Sequence, residues 1–186
     1  RYFTQGDIDG LKVFETKIDD QVRDGQYEFF NQSEAIYDQR FKMIKDLYKE
    51  ILTKPFDFTA EDQIALDAEE LPWAKDEKEL KERWRQSLKY QVLTRLQTEL
   101  DLQDKPENKA AGATPKTFAE MEQDARAKVM KTYDDWVKRM DKVDAADRRS
   151  TFLNTIASVN DPHTGYFPPD DKENFDIQMS GQLEGI

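Results

Sequence analysis

The residues best placed to do chemistry lie in one short run near the C-terminal end: Asp161-Pro162-His163-Thr164-Gly165-Tyr166-Phe167-Pro168-Pro169. His163 is the only histidine, and an imidazole can act as a general base or a metal ligand. One histidine cannot build a multi-histidine metal site, and no obvious nucleophile stands beside it to make a triad. The plainer expectation is a histidine that hydrogen-bonds to the backbone of a rigid, proline-flanked turn and orders it.

Other candidates are weaker. Asp7-Ile8-Asp9-Gly10 resembles the start of a calcium loop, but counting from Asp7 puts Lys12 where glycine belongs and Ile18 where the bidentate glutamate belongs. A helix-capping role for Asp7 accounts for it better. Acidic pairs such as Asp19-Asp20, Glu69-Glu70, Asp134-Asp135 and Asp170-Asp171 recur too often in an acidic chain to mark acid–base catalysis. Trp84 and Trp136 fall on apolar stripes and read as core. Trp73 follows Pro72 outside any helical pattern, which makes it a candidate docking anchor. The sequence has no nucleophile elbow, phosphate-cradling glycine loop or dinucleotide fingerprint, so neither cofactor nor metal is expected.

Composition sets the wider limits. The chain has 186 residues, 37% apolar and 36% charged, which suits amphipathic helices with solvated outer faces. Eleven Phe, seven Tyr and three Trp supply burial that a disordered chain would lack. A net charge of −11 repels a polyanion, and nucleic acid is excluded as a partner on that ground. The absence of cysteine removes disulfides and thiolate chemistry. No stretch approaches the ~20 apolar residues of a spanning helix.

The spacing of apolar residues predicts a mainly α chain of about five amphipathic helices, a long connector and a short C-terminal β segment. The first helix is expected over Phe3–Asn31, with Gly25 a weak point. Ser33 is expected to cap a second, whose Tyr37, Phe41, Ile44, Tyr48 and Ile51 would face two antiparallel neighbours. The aromatic connector from Thr53 to Lys75 should lie on the helices. Asp76 with Glu79 caps a third helix carrying Leu80, Trp84, Leu88, Val92, Leu96 and Leu100. A flexible linker spans 103–116. Thr117 with Glu120 caps a fourth helix, and a fifth runs from about Ala146 to Val159. The helical domain thus covers 1–160, and 161–186 forms the Pro-rich turn and a strand with Phe175, Ile177, Met179, Gly181 and Leu183 on alternate positions. A lone strand lacks pairing, so its partner is expected in a missing part of the protein.

Several stretches, in order, resemble the N-terminal region of the tail-specific proteases, also called carboxy-terminal processing peptidases. They are Arg1-Tyr2-Phe3-Thr4-Gln5-Gly6-Asp7-Ile8, Lys54-Pro55-Phe56-Asp57-Phe58-Thr59, Leu71-Pro72-Trp73-Ala74 and the Trp-Arg helix Glu79 to Lys89. The most specific are Asp161-Pro162-His163-Thr164-Gly165-Tyr166-Phe167 and the later Met179-Ser180 with Leu183-Glu184-Gly185-Ile186. The resemblance implies a parent that is a periplasmic serine endopeptidase, membrane-associated or not. That parent would have a Ser–Lys dyad and a PDZ domain that captures apolar C-terminal tails. Both would lie downstream of Ile186, so no serine or lysine here inherits a catalytic role. This segment would be a non-catalytic scaffold whose partners are its own downstream domains, tail-bearing substrates of the intact enzyme, and an adaptor protein. Asp161, Pro162, His163, Thr164, Tyr166 and Phe167 would form the structural junction. The alternative is a stand-alone helical binding module.

Overall fold

The computed structural model describes residues 1–65, 67, 71–105 and 115–180. Among these are seven α-helices: α1 Gln5–Leu11, α2 Ile18–Arg23, α3 Glu28–Leu52, α4 Glu77–Asp104, α5 Phe118–Met140, α6 Ala145–Asn160 and α7 Pro169–Ser180. The mainly α expectation holds. The helices fall into two compact units, Arg1–Lys138 and a second from Arg139 onward.

The expected first helix is broken into pieces. α1 gives way to a 3-10 turn at Lys12–Phe14, α2 follows, and Gly25 then takes a left-handed φ of 68°, a conformation that costs glycine little. The break turns Phe14 edge-on to Phe29, with ring centroids 6.0 Å apart. α3 accordingly begins at Glu28, not after Ser33, whose hydroxyl donates back to the Phe30 carbonyl inside the helix. The open N-terminus of α3 is served from a distance: the Gln21 side chain accepts from the Phe29 N–H at 3.0 Å.

In the first unit α3, α4 and α5 form the core. Ile44 and Tyr48 of α3, Leu88, Val92 and Leu96 of α4, and Ala125 and Val129 of α5 are all buried. Pairings fix the directions. Gln91 meets Tyr133, Arg95 meets Thr132 and Glu99 meets Lys128, so α5 runs antiparallel to α4. Phe41 meets Trp136, Tyr48 meets Tyr133, and Arg126 donates to the Leu52 carbonyl, so α5 also runs antiparallel to α3. α3 and α4 are therefore parallel, and α3 has one antiparallel neighbour where two were expected.

Parallel neighbours explain the long connector. From the end of α3 the chain must return about 20 Å to where α4 starts beside Arg40, since each helical residue rises ~1.5 Å. The connector's described residues lie on the helices, as the aromatics suggested. The Phe56 N–H donates to Glu122, the Phe58 ring packs against Phe118, and Asp62 pairs with Lys89 and Arg85 on α4. Ala74 then closes the return, its carbonyl accepting from the Gln5 N–H at 2.7 Å.

The local start signals are realised. Asp76 accepts from the Glu79 N–H at 2.8 Å, and Thr117 and Glu120 form a reciprocal box. In α1 the N-cap is Thr4, and Asp7 completes its box from the third position, accepting from the Thr4 N–H at 2.8 Å. Most of the expected linker, 106–114, lies outside the described residues. At its margins the Gln103 side chain pairs with both backbone groups of Lys116.

In the second unit Asp144 caps α6 in a further reciprocal box with Asp147, so the helix starts at Ala145, one residue before the expected Ala146. The expected strand is corrected: Phe175, Ile177 and Met179 lie in α7, which Pro169 opens at the position where a missing N–H costs nothing. A strand needs a neighbouring backbone to bond with, and the described residues offer none here, whereas a helix satisfies its own groups. Gly181 and Leu183 lie outside the described residues.

Candidate functional site

The junction residues form a turn after α6, ordered by two polar side chains. Asp161 ends α6 with its N–H on the Ala157 carbonyl. Its carboxylate then accepts from the His163 N–H at 3.0 Å and from the Thr164 hydroxyl at 2.7 Å, while its carbonyl accepts from the Thr164 N–H. An aspartate bonding two residues ahead mimics a backbone turn. The His163 N–H and the Thr164 hydroxyl hold the Asp161 carboxyl below the usual aspartate range.

Asn154 supplies the second hold. From the third turn of α6 its amide oxygen accepts from the Tyr166 N–H at 2.7 Å, and its amide nitrogen donates to the Tyr166 carbonyl at 3.2 Å. Carboxamides carry both donor and acceptor and can pair with a peptide group as a neighbouring strand would. Sequence reading missed Asn154, because a contact across twelve residues leaves no periodic trace.

The structure thus gathers Asp161, His163, Thr164 and Tyr166 through backbone contacts. His163 contributes its N–H, while its imidazole is exposed, so the ordering role expected of it falls to Asp161 and Asn154. Pro162 sits exposed within the turn. Phe167 is 56% exposed and meets Phe175 of α7 with ring centroids 5.7 Å apart.

Trp73 belongs to the first unit and is half-buried. The Arg1 guanidinium lies over its ring at 4.7 Å, and Arg83 donates to the neighbouring Pro72 carbonyl at 2.7 Å. Beside this segment a cavity of about 720 Å³ opens among the described residues, lined by Phe3, Ile64, Leu80 and Trp84 with Arg1 and Arg83.

The carboxylates of the rejected calcium loop face protein cations. Asp7 takes a two-point ion pair from Arg40, at 2.9 Å to each oxygen, and Asp9 bonds Gln5 and Lys12. Burial raises the Asp7 pKa, but Arg40 and Thr4 outweigh it and the net shift is downward. Among the described residues no three His, Asp or Glu side chains gather as a metal site, and no helix is long and apolar enough to cross a membrane.

A helical bundle that ends in this doubly tied turn matches one family across residues 1–170, described as the tail specific protease N-terminal domain. The chain belongs to that family. It is similar to the tail-specific protease of Haemophilus influenzae, with 28% identity over 188 residues covering 99% of this chain. The chain spans 24% of that relative's length.

Proposed function

We propose that this domain is the non-catalytic scaffold of a periplasmic serine endopeptidase that processes proteins with apolar C-terminal tails. In this reading the Ser–Lys dyad and the PDZ domain lie downstream of Ile186, and the intact protein associates with the membrane or an adaptor. The family match over residues 1–170 supports a tail-specific protease parent, and it carries the proposal.

The domain's own task is positional. Within the second unit, Asp161 and Asn154 hold the turn after α6 from which the chain leaves. His163, Tyr166 and Phe167 are then presented to the downstream domains. Trp73, steadied by Arg1, is the proposed anchor for an adaptor.

The test compares this chain alone with its longer parent on a protein ending in an apolar tail, followed by intact mass. Truncation by the parent and none by the chain alone is expected. Specific truncation by the chain alone, or an inert parent, would overturn the proposal.

A further inference from the structure

The sequence holds two Asp–Gly pairs, Asp9-Gly10 and Asp24-Gly25, and the fold holds them differently. In such a pair the side-chain carboxyl is open to attack by the next backbone nitrogen, because glycine has no Cβ to block the approach. The attack needs an aspartate whose ψ can rotate and a nitrogen that can leave its hydrogen bond. Asp9-Gly10 has neither. Both residues lie inside α1, where helical bonding fixes ψ and directs the Gly10 N–H to the carbonyl four residues back. Buried Thr4 and Leu11 hold that helix at its two ends.

Asp24-Gly25 lies just past the end of α2, with Arg23, Asp24, Gly25 and Gln26 all exposed. Gly25 takes its left-handed φ there, and two backbone bonds close the helix end in a Schellman motif. The Gln26 N–H donates to the Gln21 carbonyl at 2.7 Å, but the Gly25 N–H reaches the Val22 carbonyl only at 3.3 Å. The nitrogen that would attack is the weakly held one. Space does not separate the two pairs, since a Cβ would meet nothing within 4 Å at either glycine. Nor do cations, since Lys12 holds Asp9 and Arg23 holds Asp24 in exposed contacts that are worth little. Backbone bonding does.

We infer that Asp24-Gly25 is a site of spontaneous isomerisation in the folded protein and that Asp9-Gly10 is sheltered from it. The Gly25 nitrogen bonds to the Asp24 Cγ, its proton and the carboxyl's hydroxyl leave as water, and a cyclic imide forms. Water then opens the ring at either carbonyl. Opening at the backbone carbonyl gives isoaspartate, in which the main chain runs through the side-chain carbon and is one atom longer. Water is released and taken up again, so the change needs no other reactant. The longer link falls where the Gln26 N–H and the Phe29 N–H both bond to Gln21, so it loosens the junction of α2 and α3.

In the test the full chain is aged, folded and at neutral pH, in heavy-oxygen water. It is then mapped with Asp-N protease, which cuts before aspartate but not before isoaspartate. Cutting before Asp24 should be lost at least about fivefold faster than cutting before Asp9, the factor that one backbone hydrogen bond adds to the barrier. Peptides that resist cutting should carry heavy oxygen, the mark of ring opening by water. In denaturing guanidinium the two sites should age at similar rates, because only the fold parts them. In the isomerised fraction the Phe29 N–H should exchange about fivefold faster. Equal loss at both sites of the folded chain, faster loss at Asp9, or no loss at either would overturn the inference. Resistance without heavy oxygen would overturn the ring. A gap that persists in guanidinium would overturn the sheltering by α1, and unchanged Phe29 exchange would overturn the loosened junction.

Discussion

Asn154 and Tyr166 are joined through the two ends of one carboxamide, which accepts from the Tyr166 N–H at 2.7 Å and donates to its carbonyl at 3.2 Å. This pairing ties the turn after α6 back onto the helix it has just left. Gln103 does the same for Lys116, so two chain exits in this domain are closed by an amide side chain acting as a one-residue strand partner.

Asn154→Ala should therefore free the Tyr166 amide. Its hydrogen-exchange protection should fall about fivefold, corresponding to roughly 1 kcal/mol for a net hydrogen bond lost. Asn154→Asp keeps the acceptor and loses the donor, so it should retain part of the protection. Equal protection in all three proteins would show that the pairing does not hold the turn.

The Arg40–Asp7 pair ties α1 to α3, and both side chains are nearly buried. Arg40→Ala should cost about 3 kcal/mol in a denaturant melt, because Asp7 would stay behind without its cation. Arg40→Lys should recover only part of that, since an ammonium cannot match both carboxylate oxygens at once. A loss below about 0.5 kcal/mol would mean the pair is no more than a surface contact.

Acid should release the connector late. Hydrogen bonds from Arg85 and Lys89 lower the Asp62 pKa to about 2. Because the folded value lies below the unfolded one, the pair's contribution is complete above about pH 4, the ordinary aspartate range, and is lost as pH falls through about 2. Carboxyl NMR should show Asp62 still ionised at about pH 3, and Asp62→Asn should free the Phe58–Asp62 stretch at neutral pH. An Asp62 titration in the ordinary range would contradict the pairing.

Leu88 is fully buried where α4 faces its neighbours. Leu88→Ala should cost about 2–5 kcal/mol, read as a lowered Tm. The exposed Leu93, five residues on and on another face, should tolerate the same change within about 0.5 kcal/mol. Similar losses at both positions would contradict the assigned α4 face.

What the sequence disclosed followed the range of the interactions. The caps at Asp76 and Thr117 were legible because donor and acceptor lie three residues apart. The stripe Leu88, Val92 and Leu96 was legible because burial repeats with the helix. The broken first helix was not, because Ile8, Leu11, Phe14, Ile18 and Val22 keep helical spacing across the break, and the Gln21–Phe29 bond that rewards breaking spans eight residues. The parallel course of α3 and α4 was hidden likewise, although the length of the connector carried the clue. At the turn, the residue types pointed to His163, but the hydrogen bonds fell to Asp161 and Asn154, whose part depends on where α6 ends. In α7 the alternation of Phe175, Ile177 and Met179 suggested a strand, and backbone self-satisfaction made it a helix.

The most direct test of a supporting rather than cutting domain is turnover by the longer parent carrying Asp161→Ala together with Asn154→Ala. A serine-directed covalent reagent would be titrated in parallel to count competent active sites. The account predicts turnover reduced several-fold and a lowered Tm, with the labelled fraction unchanged. Wild-type turnover with a wild-type melt would contradict it.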